Sequence, residues 1–388
     1  MSHAISMNNS RYGSETQYDW WLISCVMILI GLGLVMVASA SISIADPLGK
    51  EEGAKLFYFW RQLVALGLGM AGGLVVLRTP LYVFKQYRYL FLLTTLVLLV
   101  AVISPIGKTV NGAARWVDLG VYDLQASEIA KLLVIIYLAG YMEQHLEQVR
   151  SSLSGLYNPI IVMTIICGLL LMEPDFGTSV LLFATMLGLL FLAGIPLLRI
   201  FIWGSIAVAI LAFVATLEAY RMQRLLIFLD PWADPYGTGF QLIQALIAIG
   251  RGEWFGVGLG SSVQKLFYLP EAHTDFIFSI FAEEMGLFGC LSLISVFTFF
   301  IWRVFYITAQ SEKGGRYFPA YLAYGFGLLI GMQAFLNMGV NMGALPTKGL
   351  TLPFISYGGN SMIMMCIAVA FILRVDHENR IADWEAEE

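Results

Sequence analysis

The chain has 388 residues, of which 59% are hydrophobic and 13% are charged, whereas soluble domains carry about 25% charged residues. This composition excludes a soluble globular protein. The net charge of -5, with no basic tract, gives no indication of nucleic acid binding.

Apolar runs of about 20 residues, the length of a membrane-spanning helix, recur along the whole chain. They predict about ten helices, near 20–42, 59–77, 89–104, 125–142, 157–172, 177–195, 199–217, 276–304, 318–338 and 359–374. The predicted fold class is therefore an all-α polytopic membrane protein. We expect a single domain over 1–388, with an N-terminal tail (1–19), a large loop between helices 7 and 8 (218–275) and a C-terminal tail (375–388).

The distribution of Lys and Arg predicts the orientation of these helices. Inner connections hold more of them than the short outer loops when the N-terminus is placed in the cytoplasm, as the positive-inside rule requires. An even number of spans then places the C-terminus in the cytoplasm as well. The unusual polar stretches all fall on the outer side, so we expect any chemistry to face outward.

The large loop contains "FQLIQALIAIG" followed by the glycine-rich "GRGEWFGVGLGSS". The first stretch is too short to span and predicts an interfacial or re-entrant helix. The glycines indicate either a flexible loop or a cradle whose backbone amides bind a phosphate. Four cationic residues near them favour the second interpretation, namely Arg221, Arg224, Arg251 and Lys265.

The eighth span begins in "LPEAHTDFIFSIFAEEMG". Asp275 is typical of a helix N-cap, but with Glu271 and His273 beside it a general base for a hydroxyl is an alternative. If the stretch is helical, Glu271 and Asp275 share a face. A metal site formed by these three residues matches no known spacing. Glu283 and Glu284 lie about 12 Å further along the helix, and helical geometry places Glu284 opposite Asp275.

Charged residues also occur in and beside the fourth span. Glu128 and Lys131 in "LQASEIAKLLVII" form either a self-neutralising ion pair or a site where Lys131 reaches an anionic substrate. Arg115 in the preceding outer loop is a second candidate for binding an anion. Glu173 and Asp175 in "EPDFGTS" are typical of turn residues.

The last outer loop, "LPTKGLTLPFISYGGNS", places Lys348 and Ser356 between helix breakers. Non-helical backbone near the membrane usually lines a cavity. Together, these patterns predict an outward-facing polar cavity suited to a sugar or phosphate substrate.

The same stretches, with "VNGAARWVDLG" and "SVQKLFYLPEAHTDFIF", resemble the SEDS family (shape, elongation, division and sporulation) over nearly the whole chain. The amino-acid sequence of the last of these motifs is more similar to division-type members than to elongation-type members. The resemblance implies a peptidoglycan glycosyltransferase that joins lipid II units outside the bacterial cytoplasmic membrane, at the division septum, and releases undecaprenyl pyrophosphate.

The resemblance also implies roles for individual residues. Asp275 corresponds to the catalytic carboxylate, and Arg115 and Lys131 match basic positions that would neutralise the leaving pyrophosphate. The further residues expected to bind or surround the substrates are Glu128, Lys265, Glu271, His273, Lys348 and Ser356.

Partners follow from the same resemblance. A class B penicillin-binding protein (the FtsI type) would supply the transpeptidase, and the FtsQ, FtsL and FtsB complex would associate during division, all within membrane lipids. No cofactor is required by the pattern, and a divalent cation is compatible with it. Two alternatives stay open, a lipid flippase and a non-catalytic division scaffold.

Overall fold

The computed structural model describes residues 18–45, 57–105, 107–110, 113–118, 120, 123–216, 228–266, 268–346 and 349–387. The helices up to the predicted sixth span are α1 (Trp20–Ala45), α2 (Phe57–Arg78), α3 (Leu81–Gln86), α4 (Arg88–Ile103), α5 (Ala126–Ser151), α6 (Ser154–Met172) and α7 (Phe176–Leu192). The remaining helices are α8 (Leu197–Thr216), α9 (Phe240–Arg251), α10 (Ile277–Lys313), α11 (Tyr317–Asn341) and α12 (Gly359–Glu387).

A helix lies at each of the ten predicted spans, and the prediction of an all-α polytopic membrane protein is confirmed. Within the described part of the chain, α1, α2, α6, α10, α11 and α12 are long and apolar enough to cross a membrane, while α4, α7, α8 and α9 are shorter apolar helices. Large apolar side chains such as Met70 and Leu74 are exposed on the surface of the protein. A surface of this kind suits contact with lipid.

The loop before α5 forms a small antiparallel sheet that was not predicted from the sequence. Its strands are β1 (Gly107–Val110), β2 (Ala113–Asp118) and β3 (Asp123–Gln125), in the order β1-β2-β3. Trp116 of β2 pairs with Lys108 of β1 and Gln125 of β3. The sheet leads directly into α5, so the position of β2 is set relative to that helix.

Small residues allow α2 to pack closely along α12. A Cβ built on Gly69 would lie 2.9 Å from Cys366 Cβ, and one built on Gly73 would lie 3.2 Å from Ala370 Cβ. Such close approach is the usual basis of helix association in membranes. α12 also continues as a helix beyond the predicted end of its span, and Asp376 and Asn379 in this extension are buried.

The helix α10 is interrupted at Gly286, whose φ of 66° and ψ of -166° are not helical. The glycine-rich loop after α9 packs against this interruption. The backbone N–H groups of Val257 and Gly258 donate to the carbonyl oxygens of Glu283 (3.0 Å) and Glu284 (3.1 Å). The loop therefore binds α10 through its backbone.

These contacts argue against the phosphate-cradle interpretation of the loop, because two of its backbone amides are already used within the protein. The glycines instead permit close approach: a Cβ on Gly252 would lie 2.0 Å from the carbonyl oxygen of Ala282. Of the four cationic residues that favoured the cradle, Arg221 and Arg224 lie outside the described residues. The other two, Arg251 and Lys265, form ion pairs with glutamates of α10.

The contact between the loop and α10 predicts opposite behaviour at two neighbouring glycines. Gly252→Ala introduces a methyl group against backbone, and overpacking of this kind costs about 1–3 kcal/mol. The control, Gly250→Ala, adds a methyl group where no atom lies within 4 Å, in the last turn of a helix, where Ala is favoured over Gly. We expect thermal unfolding in detergent to show a lower midpoint for Gly252→Ala only, and equal midpoints would contradict the packing.

Candidate active site

Asp275 lies in a turn immediately before α10. Phe276, not Asp275, occupies the N-cap position of that helix, so the N-cap interpretation of Asp275 is wrong. Glu271 has a φ of 55°, which excludes a continuous helix from Glu271 to Asp275. The expectation that these two residues share a helical face is therefore wrong as well.

Two asparagines of α11 hold the backbone of Asp275. Asn337 Nδ2 and Asn341 Nδ2 each donate to the Asp275 carbonyl oxygen at 2.9 Å. Asn341 Oδ1 also accepts from the backbone N–H (3.2 Å) and the hydroxyl (2.8 Å) of Ser279 in α10. The backbone of the candidate base is thus fixed by side chains from a neighbouring helix.

The last outer loop approaches the Asp275 carboxylate. Asn337 Nδ2 donates to the Leu350 carbonyl oxygen at 2.6 Å, so one amide group binds both segments. A Cβ built on Gly349 would lie 3.2 Å from Asp275 Oδ2. Glycine at this position leaves the carboxylate room that a side chain would restrict. Lys348, a predicted substrate residue, lies outside the described residues.

A buried network links the predicted ion pair of α5 to the same loop. The Lys131 ammonium donates to Glu128 Oε1 (2.8 Å) and to Gln333 Oε1 (2.9 Å), and Lys131 is 1% exposed. Gln333 Nε2 in turn donates to the carbonyl oxygen of Thr351 at 3.0 Å. Two of the three ammonium donors are used among the described residues.

Arg115 of β2 contacts the turn between α6 and α7. Its guanidinium donates to the carbonyl oxygens of Glu173 (3.4 Å) and Pro174 (2.5 Å). Asp175 caps α7 by accepting from the backbone N–H of Thr178 at 3.1 Å. A Cβ on Gly177 would lie 3.1 Å from Leu350 Cγ, so this turn also packs against the last outer loop.

His273 is packed between two tyrosines. Its ring centroid lies 4.8 Å from that of Tyr58 in α2 and 5.7 Å from that of Tyr357. The backbone N–H of Tyr357 donates to the His273 carbonyl oxygen at 2.9 Å. Burial lowers the pKa of His273, and the charge of Glu271 opposes this effect. The imidazole is therefore neutral near pH 7, and its packing joins the Asp275 turn to two other outer segments.

Ser356 is bonded within its own loop and to α2, whereas Glu271 forms a local hydrogen bond. The Ser356 hydroxyl accepts from the backbone N–H of Leu352 at 2.8 Å, and its carbonyl oxygen accepts from Gln62 Nε2 of α2 at 3.1 Å. Glu271 is exposed, and its carboxylate accepts from the Thr274 hydroxyl at 2.7 Å. Both residues stabilise the outer loops in the structure.

Glu283 and Glu284 of α10 are buried and bind the large loop. Glu284 pairs with the Lys265 ammonium at 2.7 Å and accepts from the Ser39 hydroxyl of α1 at 2.9 Å. Glu283 pairs with Arg251 at 3.0 Å and accepts from the backbone N–H of Val263. Lys265 therefore lies in a buried ion pair, where it anchors the loop that precedes Asp275.

A metal site built by Glu271, His273 and Asp275 is not supported. In the part of the chain that the structure describes, no three His, Cys, Asp or Glu side chains come together to hold an ion. Mg²⁺ is often held by one or two carboxylates together with substrate phosphates.

Sequence reasoning missed the amide side chains that organise the site. Gln62, Gln333 and Asn337 lie within predicted spans, Asn341 lies beyond the predicted end of its span at 338, and all four are at most 2% exposed. Polar side chains are rare inside membrane helices and usually bind a partner. A search for Asn and Gln within the apolar runs could therefore have found the first three, although not their partners.

The chain is similar to known proteins over nearly its whole length. The chain matches, over residues 19–381, the family named for FtsW, RodA and SpoVE and described as "Cell cycle protein". The probable peptidoglycan glycosyltransferase FtsW of Nitrosococcus halophilus is 51% identical over 381 residues, which are 98% of this chain and 97% of that protein. The protein of the same name from Hahella chejuensis is 48% identical over 376 residues, 97% and 94% of the two chains.

Two solved structures are similar over nearly the whole chain. A chain from "Structural coordination of polymerization and crosslinking by a peptidoglycan synthase complex" has a TM-score of 0.75 and 31% identity, with 93% of this chain and 98% of that chain covered. The rod shape determining protein RodA of Thermus thermophilus has a TM-score of 0.67 and 26% identity, with 94% and 97% covered. The chain therefore belongs to the FtsW, RodA and SpoVE family of cell cycle proteins.

Proposed function

We propose that Asp275 is the general base of a glycosyl transfer that polymerises lipid II. The chain is a peptidoglycan glycosyltransferase of the division type, as its family and its relatives of the same length indicate. The observation that carries the assignment of Asp275 is the amide of Asn337, which binds the Asp275 carbonyl and the Leu350 carbonyl together. It places the Asp275 carboxylate against Gly349, in the loop that the buried network of Lys131, Glu128 and Gln333 also contacts.

In the proposed reaction, Asp275 accepts the proton of the acceptor sugar 4-hydroxyl. The oxygen then attacks the anomeric carbon of the lipid-linked donor, the bond from that carbon to the pyrophosphate oxygen breaks, and the configuration inverts from α to β. The fixed backbone of Asp275 supports this step, since a base must be held within hydrogen-bond distance of its proton.

Arg115 and Lys131 would neutralise the leaving pyrophosphate. Arg115 uses two of its five N–H donors on backbone carbonyls, and those that remain match the geometry of a phosphate. Lys131 is held by Glu128 and Gln333, so it acts as a fixed charge with one further donor. Glu271, His273, Lys265 and Ser356 support the loops around the substrates, and Lys348 stays a predicted contact.

The general base assignment predicts the effect of Asp275→Asn. A general base contributes about 10²–10⁴-fold to a rate, so we expect glycan polymerisation from purified lipid II to fall at least about 100-fold. The readout is polymer length and yield with the partner transpeptidase present.

The matched control is Glu253→Gln, which neutralises an exposed carboxylate of the same loop and should polymerise like the wild type. Full activity of Asp275→Asn would exclude Asp275 as the general base. No polymer from the wild type, with lipid II movement across vesicles, would favour the flippase.

The buried pair of α5 predicts a separation of stability from activity. Removing one partner of a buried ion pair costs about 3–5 kcal/mol, because the other charge is left unpaired. Lys131→Met should therefore lower the thermal midpoint strongly, whereas Lys131→Met combined with Glu128→Gln should recover most of it. Polymerisation should stay low in both variants, since the positive charge is absent. A fully active double variant would show that Lys131 is needed only for folding.

We further propose that both termini lie in the cytoplasm and that the Asp275 site faces the periplasm. The excess of Lys and Arg on the assigned inner connections supports this orientation. The structurally similar chain from a peptidoglycan synthase complex supports a class B penicillin-binding protein as partner. Association with FtsQ, FtsL and FtsB at the septum is part of the same proposal and rests on the division type.

The orientation predicts which introduced cysteines react from outside. Tyr236 in the large loop is 93% exposed, so Tyr236→Cys should be labelled in intact spheroplasts by a membrane-impermeant maleimide. Lys313→Cys, at the exposed inner end of α10, should react only after the membrane is permeabilised. The reverse pattern would overturn the orientation.

A further inference from the structure

Glu173 is a buried carboxyl group that the proposed mechanism does not use. Its side chain is 0% exposed, and neither Oε1 nor Oε2 has a hydrogen-bond partner among the described residues. An ionised carboxylate in such a position is costly, because neither water nor a donor replaces its hydration. The surroundings thus favour the protonated form.

The nearest cation does not pair with this carboxyl group. Arg115 lies against the same turn, but its guanidinium donates to the backbone carbonyls of Glu173 and Pro174. Arginine normally prefers a carboxylate over a carbonyl, since two charge-assisted hydrogen bonds form at once. An arginine that binds the backbone beside an unpartnered carboxyl group is the arrangement expected when that group is neutral.

Two charged groups among the described residues act on the Glu173 carboxyl, Asp175 from the same turn and Arg115 from β2. Burial, followed by the negative charge of Asp175, raises the pKa of Glu173 to about 8, and Arg115 opposes the rise. Asp175 is held as the cap of α7, so its charge is a fixed part of the site. The carboxyl group is therefore largely protonated at neutral pH, and it ionises only in mildly alkaline solution.

We propose that Glu173 is a positioning residue that controls whether Arg115 is available to the substrate. In its neutral form it leaves the guanidinium on the backbone, with its remaining donors open to a phosphate. In its ionised form it would attract the guanidinium into an ion pair and withdraw it from the substrate. This inference rests on the proposed role of Arg115 at the leaving pyrophosphate. It adds that Arg115 fills that role only while the Glu173 carboxyl group is neutral.

The inference predicts how polymerisation depends on pH. With a pKa of about 8, about a tenth of the Glu173 carboxyl groups stay protonated one pH unit above it. We expect the wild-type rate to fall to about a tenth of its maximum there, whereas Glu173→Gln, which keeps the neutral shape, should retain its neutral-pH rate across the same range. The measurement is the initial rate of polymerisation from lipid II between about pH 6 and 9.5.

The control is Glu253→Gln, whose rate should follow the wild-type profile. Parallel profiles for the wild type and Glu173→Gln would overturn the inference. A folded Glu173→Gln variant that is inactive at every pH would also overturn it, because the carboxyl group would then be needed for itself. If the wild type makes no polymer at all, the proposed function fails instead, which this experiment shows separately.

Thermal unfolding gives a readout that does not depend on activity. A carboxyl group whose pKa is raised in the folded state contributes stability at low pH. This stability is lost as the pH rises from the ordinary pKa of a glutamate through the raised pKa of about 8. The midpoint of the wild type should therefore decrease with pH relative to that of Glu173→Gln, which cannot ionise. A constant difference would show that Glu173 does not titrate in this range and would overturn the inference.

Discussion

The carbonyl oxygen of Asp275 accepts two amide N–H groups from α11, and the rest of the site is arranged around this contact. The turn before α10 is not helical, so its backbone groups need partners from elsewhere, and near a membrane an unpaired group is costly. Asn337 satisfies that need and binds the last outer loop with the same amide group. Because these backbone groups require hydrogen-bond partners, the candidate base Asp275 and the buried network of Lys131 and Gln333 contact the same loop.

Three cationic residues near the candidate site follow a common pattern. Lys131, Lys265 and Arg251 each pair with a glutamate, and in each pair the glutamate is at most 6% exposed. Breaking such pairs is costly, although forming them adds little stability. They are better understood as fixing the position of segments: Lys265 and Arg251 attach the large loop to α10, and Lys131 attaches α5 to Gln333. Glu173 differs, because it lies beside a cation without pairing with it.

The helices could be predicted from the sequence because lipid requires a continuous apolar run for each span. The separation of Glu284 from Asp275 could also be anticipated from helical geometry, but the partners of Glu283 and Glu284 could not. The sheet over 107–125 escaped prediction because its strands are short and carry few alternating apolar residues. The interruption at Gly286 depends on the loop that packs against it, and isolated glycines are common in membrane helices.

The amino-acid sequence by itself determined the all-α membrane fold, the position of each span and, through its long motifs, the family and the identity of Asp275 as the candidate base. Only the tertiary structure decided how the outer segments meet. It showed that Asp275 lies in a turn rather than at an N-cap, that asparagines of α11 hold it, and that Arg115 contacts the Glu173 turn. The physical reason is that apolar runs and motifs are local features, whereas hydrogen bonds between distant residues depend on how helices and loops pack.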